Sequence, residues 1–579
     1  MKKMKLLTLT FGALLSITSC GGNEIIHNVD QELLDKLPTS AVKIEFWHCL
    51  GSEKAKNLEK VIQKFNAKYS GSYYVEADVP GTTTYDSLRD SIITNLSSGR
   101  VPALALGYPD NFSEYMTTKL TGSNILRLKN FIEDKRTIQV NQIEYDSVTE
   151  SWVVKKDAQG NILKEDMLLG FDEEEFENDF IAAYRDEGKN YQFEGYWSLP
   201  MYKSTEVMFY NLDYFMGNSD INDTYFNNYP DDDPVIPIPD TDPVEYESVA
   251  DAYYRLQREV TKAGKYYSAN HDKVGTALAN LKVHVKKYGG YTYEVPTKWD
   301  EMINLSKQMR LDRTAQGYNV DDENFIPVGY DSDSNLMISQ MIQRGIPYTT
   351  NENVHSRDDH LLFRNDQAKE LLREIGKDID DRLLTTKYTI SSTGNVYTNS
   401  YFNGGEGAGG RCVMCIGSTG GSSYQLSENF AVEVAPVPYS GTTPKYVQQG
   451  PSVCFFDNNN QAIATGAWLF YKMLSDPESN TSLANENDYD PIRYSCEDSE
   501  EYKAWIANAK FNLLHHVPEI THLPQVRDNQ FFTDVFYGSA ACRNEMGNLI
   551  LRYVHSKNLY NIDTNFDEAY KVARNATRV

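Results

Sequence analysis

Residues 42–108 decide the fold, and they read VKIEFWHCLGSEKAKNLEKVIQKFNAKYSGSYYVEADVPGTTTYDSLRDSIITNLSSGRVPALALGY. Three segments in this stretch are apolar or alternate between apolar and polar residues, as strands do: 42–47, 73–79 and 102–108. Between them, residues 53–69 and 85–96 carry apolar side chains at helical spacing. Strands that alternate with helices predict an α/β lobe with a largely parallel sheet.

The chain is long enough for two such lobes, because it has 579 residues. Its formal net charge is −26. Proteins bind nucleic acid mainly through Lys and Arg that meet phosphates, so this charge excludes nucleic acid as a partner. The 40 tyrosines suit polar, ring-shaped ligands as well as half-buried structural positions.

The N-terminus predicts export. Lys2, Lys3 and Lys5 precede the apolar run 6–17, which is too short to cross a bilayer. Small residues and Cys20 follow the run, and this order describes a secretory signal.

The segment that ends at Cys20 resembles the lipobox of bacterial lipoproteins. That resemblance implies that residues 1–20 are a lipoprotein signal peptide and that residues 21–40 are a tether. Lipidated Cys20 would then anchor the protein to the outer face of the bacterial cytoplasmic membrane without crossing it. The alternative is an ordinary signal peptide in which Cys20 is incidental.

Six other cysteines are too scattered for a dense disulfide framework. They are Cys49, Cys412, Cys415, Cys454, Cys496 and Cys542. Cys412 and Cys415 form a C-x-x-C inside the strand-like run 411–416, where residues three apart face opposite sides. Small buried side chains are therefore expected there, and not a metal or redox site.

No motif indicates an enzyme, a metal or a cofactor. G-x-S-x-G, Walker and H-E-x-x-H patterns do not occur. Residues 331–335 begin like a calcium loop, but Leu336 and Ile342 stand where that loop needs Gly and Glu. The 82 acidic residues make any pair of carboxylates uninformative. We therefore expect neither a catalytic centre nor a cofactor.

Short motifs along most of residues 42–575 resemble, in order, those of the extracellular solute-binding proteins of carbohydrate ABC importers (family 1). They are Ile44-Glu-Phe-Trp-His48, Phe65-Asn66, Tyr85-x-x-Leu88, Ser98-Gly99-x-x-Pro102, Leu199-Pro-Met-Tyr-Lys-Ser-Thr205, Phe209-Tyr-Asn211, Pro296-Thr-Lys-Trp-Asp-Glu301, Gly410-Arg-Cys-Val-Met414, Val434-Ala-Pro-Val-Pro438 with Gly450, Tyr489-x-Pro491, Pro524-Gln525 and Phe566-Asp-Glu-Ala569.

The resemblance implies an α/β, two-lobed fold like that of the type II periplasmic binding proteins, with the ligand cleft between the lobes. One lobe would combine 42–200 with 445–488, and the other 201–444 with 489–579. Two stretches, near 134–195 and 216–292, look like insertions. The implied partners are a small polar solute and the permease subunits of an ABC importer, and the implied state is a monomer.

Within the family, the subgroup that binds glycerol-3-phosphate and its diesters is closest in motifs. The chain departs from it at Tyr108-Pro109, where the subgroup has Tyr-Glu, and Asp110 is the candidate replacement for that carboxylate. It also lacks the subgroup's Trp residues in the loop 330–335. The solute is therefore left open between a sugar, an oligosaccharide and a glycerol phosphate.

Candidate ligand residues follow strands or lie near the crossovers, because clefts form at strand ends. They are Trp47, His48, Tyr85, Tyr108, Asp110, Ser204, Ser332, Asp333, Ser418, Thr419, Gly420, Gly450, Tyr489 and Arg527. The tyrosines and Trp47 suit stacking on a sugar ring. The loop 417–422 and Arg527 suit an anion such as phosphate.

Two other functions stay open. One is an exported glycoside hydrolase, and the other is a surface glycan-binding lipoprotein that works without a transporter. Formation of products would identify the hydrolase, and binding of polymers without affinity for small sugars would identify the glycan-binding lipoprotein.

Overall fold

The structure is a computed structural model that describes residues 31–81, 83–116, 124–211, 214–215, 293–321, 324–390, 397–403, 411–427, 432–507, 512–556 and 561–577. The predicted signal peptide with Cys20 and the predicted insertion 216–292 lie outside the described residues. Within them, no helix combines the length and the apolar character needed to cross a membrane.

The strands are β1 Val42–Trp47, β2 Tyr73–Asp78, β3 Leu104–Gly107, β4 Thr137–Asn141, β5 Ile143–Asp146, β6 Ser151–Val154, β7 Lys164–Leu168, β8 Leu199–Pro200, β9 Ser204–Asn211, β10 Val328–Tyr330, β11 Leu384–Thr386, β12 Met414–Ser418, β13 Val432–Pro436, β14 Tyr446–Gln449, β15 Ser452–Phe455 and β16 Gln530–Phe531.

The α-helices are α1 Ser52–Lys68, α2 Tyr85–Ser97, α3 Pro109–Tyr115, α4 Lys129–Ile132, α5 Ala182–Asp186, α6 Trp299–Ala315, α7 Asp333–Gln343, α8 Asp366–Asp380, α9 Lys387–Ile390, α10 Asn399–Phe402, α11 Gln461–Leu474, α12 Pro477–Asn485, α13 Tyr494–Glu497, α14 Glu500–Ala507, α15 Asn512–Thr521, α16 Pro524–Arg527, α17 Ser539–His555 and α18 Ile562–Ala576.

The first lobe is built on a sheet with the strand order β2-β1-β3-β15-β8. β1 runs parallel to β2 and to β3, as the alternation of strands and helices predicts, whereas β15 is antiparallel to β3 and β8. One face of this sheet packs against α1 and α11 in an apolar core that contains Phe65 and Trp468. The opposite face packs around Trp47, Phe112 and Trp197.

The second lobe is built on a sheet with the strand order β11-β10-β12-β9-β14-β16, and β13 also pairs with β9. β10 is parallel to β11 and β12, whereas β9 is antiparallel to β12, β13 and β14. α7 packs against α17, and α17 packs against α18. The sheet of each lobe therefore combines parallel and antiparallel strands, whereas the N-terminal stretch by itself predicts a largely parallel sheet.

The chain passes between the sheets after β8 and again at Gly450, between β14 and β15. Because β14 pairs with β9, residues 446–449 belong to the second sheet and not to the first lobe, to which the sequence assigned them. Ile492 lies in the core of the first lobe, so the third crossing follows it and does not begin at residue 489.

Residues 31–40, predicted to belong to a free tether, pack on the first lobe. Leu33 is 1% exposed and lies in the core of that lobe. The Arg136 guanidinium donates to the Leu33 carbonyl at 2.9 Å, and the Leu34 amide donates to the Thr465 hydroxyl at 2.9 Å. The part of the chain that holds the fold therefore starts before β1.

The predicted insertion near 134–195 also folds onto the first lobe. β4 pairs with β7 and β5 pairs with β6, both antiparallel. Lys68 on α1 forms an ion pair with Glu165 on β7 at 2.7 Å. The acidic run of this insertion is exposed to solvent at Asp172, Glu173 and Glu174, as charge runs usually are.

β2 is the outer strand of the first sheet: among the described residues it pairs with β1 on one side and with no strand on the other. Asn66, in the last turn of α1, covers part of this edge. Its amide donates to the Val75 carbonyl at 3.3 Å and accepts from the Val75 N–H at 2.7 Å. One side chain thus pairs both outward-facing backbone groups of Val75.

The six cysteines of the folded part are buried and free, and Cys412 and Cys415 are thus the small buried side chains that the sequence predicts. The expectation that Cys412 and Cys415 face opposite sides is wrong. Both lie in one apolar cluster, because β12 starts at Met414 and Cys412 precedes the alternating strand. Burial raises the pKa of the Cys415 thiol well above its usual value, which disfavours the thiolate that metal or redox chemistry needs.

Candidate functional site

A cavity of about 400 Å³ lies between the two lobes. Its walls come from the start of α2, the β3–α3 junction, β14, the start of α7 and the segment that joins β16 to α17. The lining residues are Thr84, Tyr85, Asp86, Tyr108, Pro109, Asp110, Asn111, Glu187, Ser332, Asn335, Tyr397, Val447, Gln448, Gln449, Phe532, Thr533, Val535, Ala540, Arg543 and Asn544. The volume is within the range of small-molecule sites.

Tyrosine rings form one wall of this cavity. The rings of Tyr85 and Tyr108 meet edge to face with centroids 4.6 Å apart. Burial raises the pKa of Tyr108 to about 12 and raises that of Tyr85 well above its usual value. Both hydroxyls therefore stay protonated at neutral pH, so each can donate and accept a hydrogen bond.

Unpartnered polar atoms lie on the cavity floor. Gln448 is 5% exposed, and neither its Oε1 nor its Nε2 has a hydrogen-bond partner among the described residues. The Oδ1 atom of Asp110 is likewise buried and unpartnered. Each such atom costs about 1–3 kcal/mol when it is buried alone, so a polar ligand would gain by pairing with it.

Among the described residues that line the cavity, Arg543 is the one with a positively charged side chain. Arg543 donates to the side-chain amide oxygen (Oδ1) of Asn335. Burial raises the pKa of Asp110, while the positive charge of Arg543 opposes this shift. The Glu187 carboxylate is already paired with the buried Lys203 ammonium.

Four of the predicted ligand residues line the cavity: Tyr85, Tyr108, Asp110 and Ser332. The Ser332 hydroxyl also caps α7, since it accepts from the Asn335 N–H at 3.2 Å. Strand-end reasoning pointed to these positions because each lies at the N-cap or in the first turn of a helix that begins beside the cleft.

Trp47 and His48 lie outside the cavity lining. Trp47 is 1% exposed and packs in the apolar core against β3. His48 is 4% exposed, its Nδ1 accepts from the Leu50 N–H at 3.2 Å, and burial lowers its pKa to about 4. The structure thus gives both residues structural positions.

The predicted anion-binding loop also lies outside the lining. The Thr419 hydroxyl accepts from the Thr205 N–H at 3.2 Å. Its neighbour Ser418 donates to the Ser204 hydroxyl at 3.3 Å. A Cβ on Gly420 would stand 2.7 Å from the ring of Tyr489, so the glycine permits a close approach between the lobes.

Tyr489 and Gly450 do not line the cavity. Gly450 lies at a crossover, whereas Tyr489 packs against the core of the first lobe. The Tyr489 ring packs on Tyr202 with centroids 4.3 Å apart. Gly450 has a φ of 94° and a Cβ there would stand 2.7 Å from the Lys203 backbone, so the crossover requires glycine.

The remaining two predicted residues are engaged elsewhere. Asp333 is 2% exposed and accepts from the Thr386 hydroxyl. Arg527 donates to both oxygens of Glu497, at 3.0 and 2.6 Å, and lies outside the cavity lining. Because its charge is already paired, the structure does not place Arg527 as the countercharge for a bound phosphate.

Sequence reasoning missed Gln448, Asn335 and Arg543. Gln448 lies near the end of β14, two residues before the crossover at Gly450, which is a local signal that strand-end reasoning was able to use. Asn335 and Arg543 lie inside helices, where nothing in the local sequence marks them as ligand residues.

A family model described as bacterial extracellular solute-binding protein matches residues 228–510. No curated protein matches the chain. Several solved structures resemble it over nearly the whole chain.

The GacH receptor of Streptomyces glaucescens GLA.O, solved with acarbose, is 11% identical with a TM-score of 0.55 and covers 93% of this chain and 98% of its own. UgpB of Mycobacterium tuberculosis, in complex with glycerophosphocholine, is 12% identical with a TM-score of 0.54 and covers 92% and 98%. The MalE domain of Bdellovibrio bacteriovorus, bound to maltotriose, is 12% identical with a TM-score of 0.53 and covers 92% and 99%.

At these identities the likeness establishes the fold. The prediction from the sequence is confirmed: this chain has the two-lobed, periplasmic-binding-protein-like fold of bacterial solute-binding proteins.

Proposed function

We propose that this protein is the extracellular solute-binding component of an ABC importer and that it captures a sugar or a related polyol in the cleft between its lobes. The observation that carries the proposal is the cavity of about 400 Å³ whose floor holds the unpartnered amide of Gln448. A solute that enters gives up water, so a site must offer new hydrogen bonds of this kind.

The charges of the cleft favour a neutral solute over a glycerol phosphate. Arg543 would attract an anion, but Asp110 lines the same cavity and would repel it. A hydroxyl can donate to the carboxylate and accept from the guanidinium, so a polyol satisfies both groups. Arg527, the other candidate for a phosphate, is paired with Glu497.

An exported glycoside hydrolase is supported less well. Hydrolysis of a glycosidic bond usually needs two carboxyl groups that flank the bond. Among the lining residues, Asp86, Asp110 and Glu187 carry carboxyl groups, but Asp86 is exposed and Glu187 is paired with Lys203.

Calorimetry and thermal unfolding with maltotriose, ribitol and glycerophosphocholine test the proposal. We expect one of the first two to bind and to raise the melting temperature, because a ligand at 100 times its Kd stabilises the folded state by about 2.7 kcal/mol. Tighter binding of glycerophosphocholine would reverse the preference for a neutral solute. Cleavage of oligosaccharides would show a hydrolase, and binding to polymers alone would show a glycan-binding surface protein.

For localisation, we propose that lipidated Cys20 anchors the monomer to the outer face of the cytoplasmic membrane beside the importer's permease. Cys20→Ala is then expected to release the protein from membranes, because the acyl chains would be absent. Fractionation after a high-salt wash measures this. Cys496→Ala, which alters a buried thiol of the folded part, is the matched control and should remain in the membrane fraction. Retention of the Cys20 variant would contradict the anchor.

A further inference from the structure

A polar chain leads from the cavity wall into the core of the second lobe. Arg543 on α17 donates to the side-chain amide oxygen (Oδ1) of Asn335 on α7. The Asn335 amide nitrogen donates to Glu206 Oε1 at 2.6 Å. Arg543 and Asn335 line the cavity, whereas Glu206 lies behind it on β9, 4% exposed.

Several elements packed around the Glu206 carboxyl contribute polar or charged groups. The Tyr330 hydroxyl on β10 donates to Oε2, and Asp331 follows on the same strand's end. Lys445, just before β14, lines the same small cavity as Glu206. Arg543 supplies the positive charge from α17.

These surroundings place the carboxyl near a change of protonation state. Burial raises the pKa of Glu206 to about 7, against the hydrogen bonds from Tyr330 and Asn335 and the charge of Arg543. The pKa of Glu206 in the folded protein lies above the usual value of 4.5. The stabilisation by the neutral carboxyl is therefore fully present below pH 4.5. This contribution is lost as the pH rises through about 7.

We propose that Glu206 is a positioning residue that couples proton binding to the ligand cleft, because its ionised form fixes Arg543 through Asn335 and its protonated form releases Arg543. The proposal rests on the proposed function only in treating the cleft as the solute site.

The coupling follows from which atoms of Arg543, Asn335 and Glu206 can donate hydrogen bonds and which can accept them. An ionised carboxylate only accepts, so Asn335 must turn its NH₂ toward Glu206 and its carbonyl toward Arg543. A protonated carboxyl donates one hydrogen bond, and the amide can then turn its carbonyl inward. Its NH₂ group would face the guanidinium, which also only donates, and the hold on Arg543 would be lost.

Solute affinity and proton affinity must then be linked. If the ionised form positions Arg543 for the solute, binding is tighter above neutral pH. By reciprocity, bound solute lowers the pH at which Glu206 titrates.

A dye beside Arg543 tests the coupling without any solute. Asn544 is exposed and lines the cavity, and the six cysteines of the folded part are buried. In the full chain carrying Cys20→Ala, Asn544→Cys is labelled with acrylodan and its emission is followed from pH 5 to 9. We expect one transition near pH 7 that disappears in Glu206→Gln, whose amide does not titrate.

Asp331→Asn is the matched control, because it removes a neighbouring buried carboxyl that makes no hydrogen bond to Asn335 or Arg543. It should keep the transition and move it to lower pH, since the charge of Asp331 raises the pKa of Glu206. Asn335→Leu breaks the link while Glu206 stays in place and should abolish it, which covers the case that Glu206→Gln does not fold. A transition that persists in Glu206→Gln or in Asn335→Leu overturns the proposal, as does the absence of any transition in the parent protein.

Calorimetry with maltotriose at pH 6 and pH 8 supplies the second readout. We expect the parent protein to bind about fivefold or more tightly at pH 8, and Glu206→Gln to bind with less than about a twofold difference. An equal affinity of the parent at both pH values counts against the coupling. If maltotriose does not bind, ribitol replaces it. Failure of both bears on the proposed function, and the dye titration then decides the coupling by itself.

Discussion

Replacing Lys203 with methionine is expected to lower the free energy of unfolding by about 3–5 kcal/mol. The Lys203 side chain is 0% exposed and its ammonium donates to the Glu187 carboxylate. It also donates to the Gly450 carbonyl at 3.1 Å and to the Ser452 hydroxyl at 3.0 Å. Without the ammonium, Glu187 would remain as a buried charge with no countercharge, at the place where two crossovers meet.

Urea denaturation measures this change, and a double variant separates the cost of the orphaned charge from the value of the pair. Lys203→Met with Glu187→Met removes both charges and should recover most of the loss. Lys56→Met is the surface control. It removes an exposed ion pair with Glu53, whose side chains are 68% and 82% exposed, and should change stability by less than about 1 kcal/mol. A small effect of Lys203→Met would show that water reaches Glu187.

Replacing Gln448 with leucine is expected to change stability and affinity in opposite directions. Its two unpartnered polar atoms destabilise the free protein, so an apolar side chain of similar shape should raise the free energy of unfolding by about 1–3 kcal/mol. The same change removes two hydrogen bonds that a bound polyol would receive. We expect affinity to fall about 30-fold, which corresponds to about 2 kcal/mol.

Denaturation and calorimetry with the solute that binds best among maltotriose, ribitol and glycerophosphocholine measure the two effects. Gln340→Leu is the matched control, because Gln340 is also buried, at 1% exposed, but accepts from the Ser440 hydroxyl at 2.6 Å, away from the cleft. It should destabilise the protein and leave affinity unchanged. If Gln448→Leu lowers stability, its amide has a partner in the free protein, and the site argument fails.

The N-terminal half of the first lobe was predictable because its pattern is local. The predicted strands 42–47 and 73–79 are observed as Val42–Trp47 and Tyr73–Asp78, and the predicted helix 85–96 as Tyr85–Ser97. Apolar periodicity over a single element is sufficient to predict such segments. The place of β14 was not predictable in this way, because its sheet is decided by pairing with β9, more than 200 residues earlier.

The site was predictable only where position along one strand was informative. Tyr85, Tyr108 and Asp110 follow from strand and helix ends in the local sequence. The pairing of Arg527 could not be predicted from the local sequence, because its partner Glu497 lies on another helix, 30 residues earlier. A side chain that looks available in the sequence is engaged when a distant segment supplies its partner.

The hydrogen bonds between Asn66 and Val75 also affect self-association of this protein. An open strand edge is a template on which another chain can add a strand, and self-assembly often begins there. At β2 the Asn66 amide is already hydrogen-bonded to the N–H and C=O of Val75. A strand from another molecule therefore cannot pair with the middle of this edge. The side chain at the end of α1 therefore acts against polymerisation of the folded protein, a role that needs no contact with the solute.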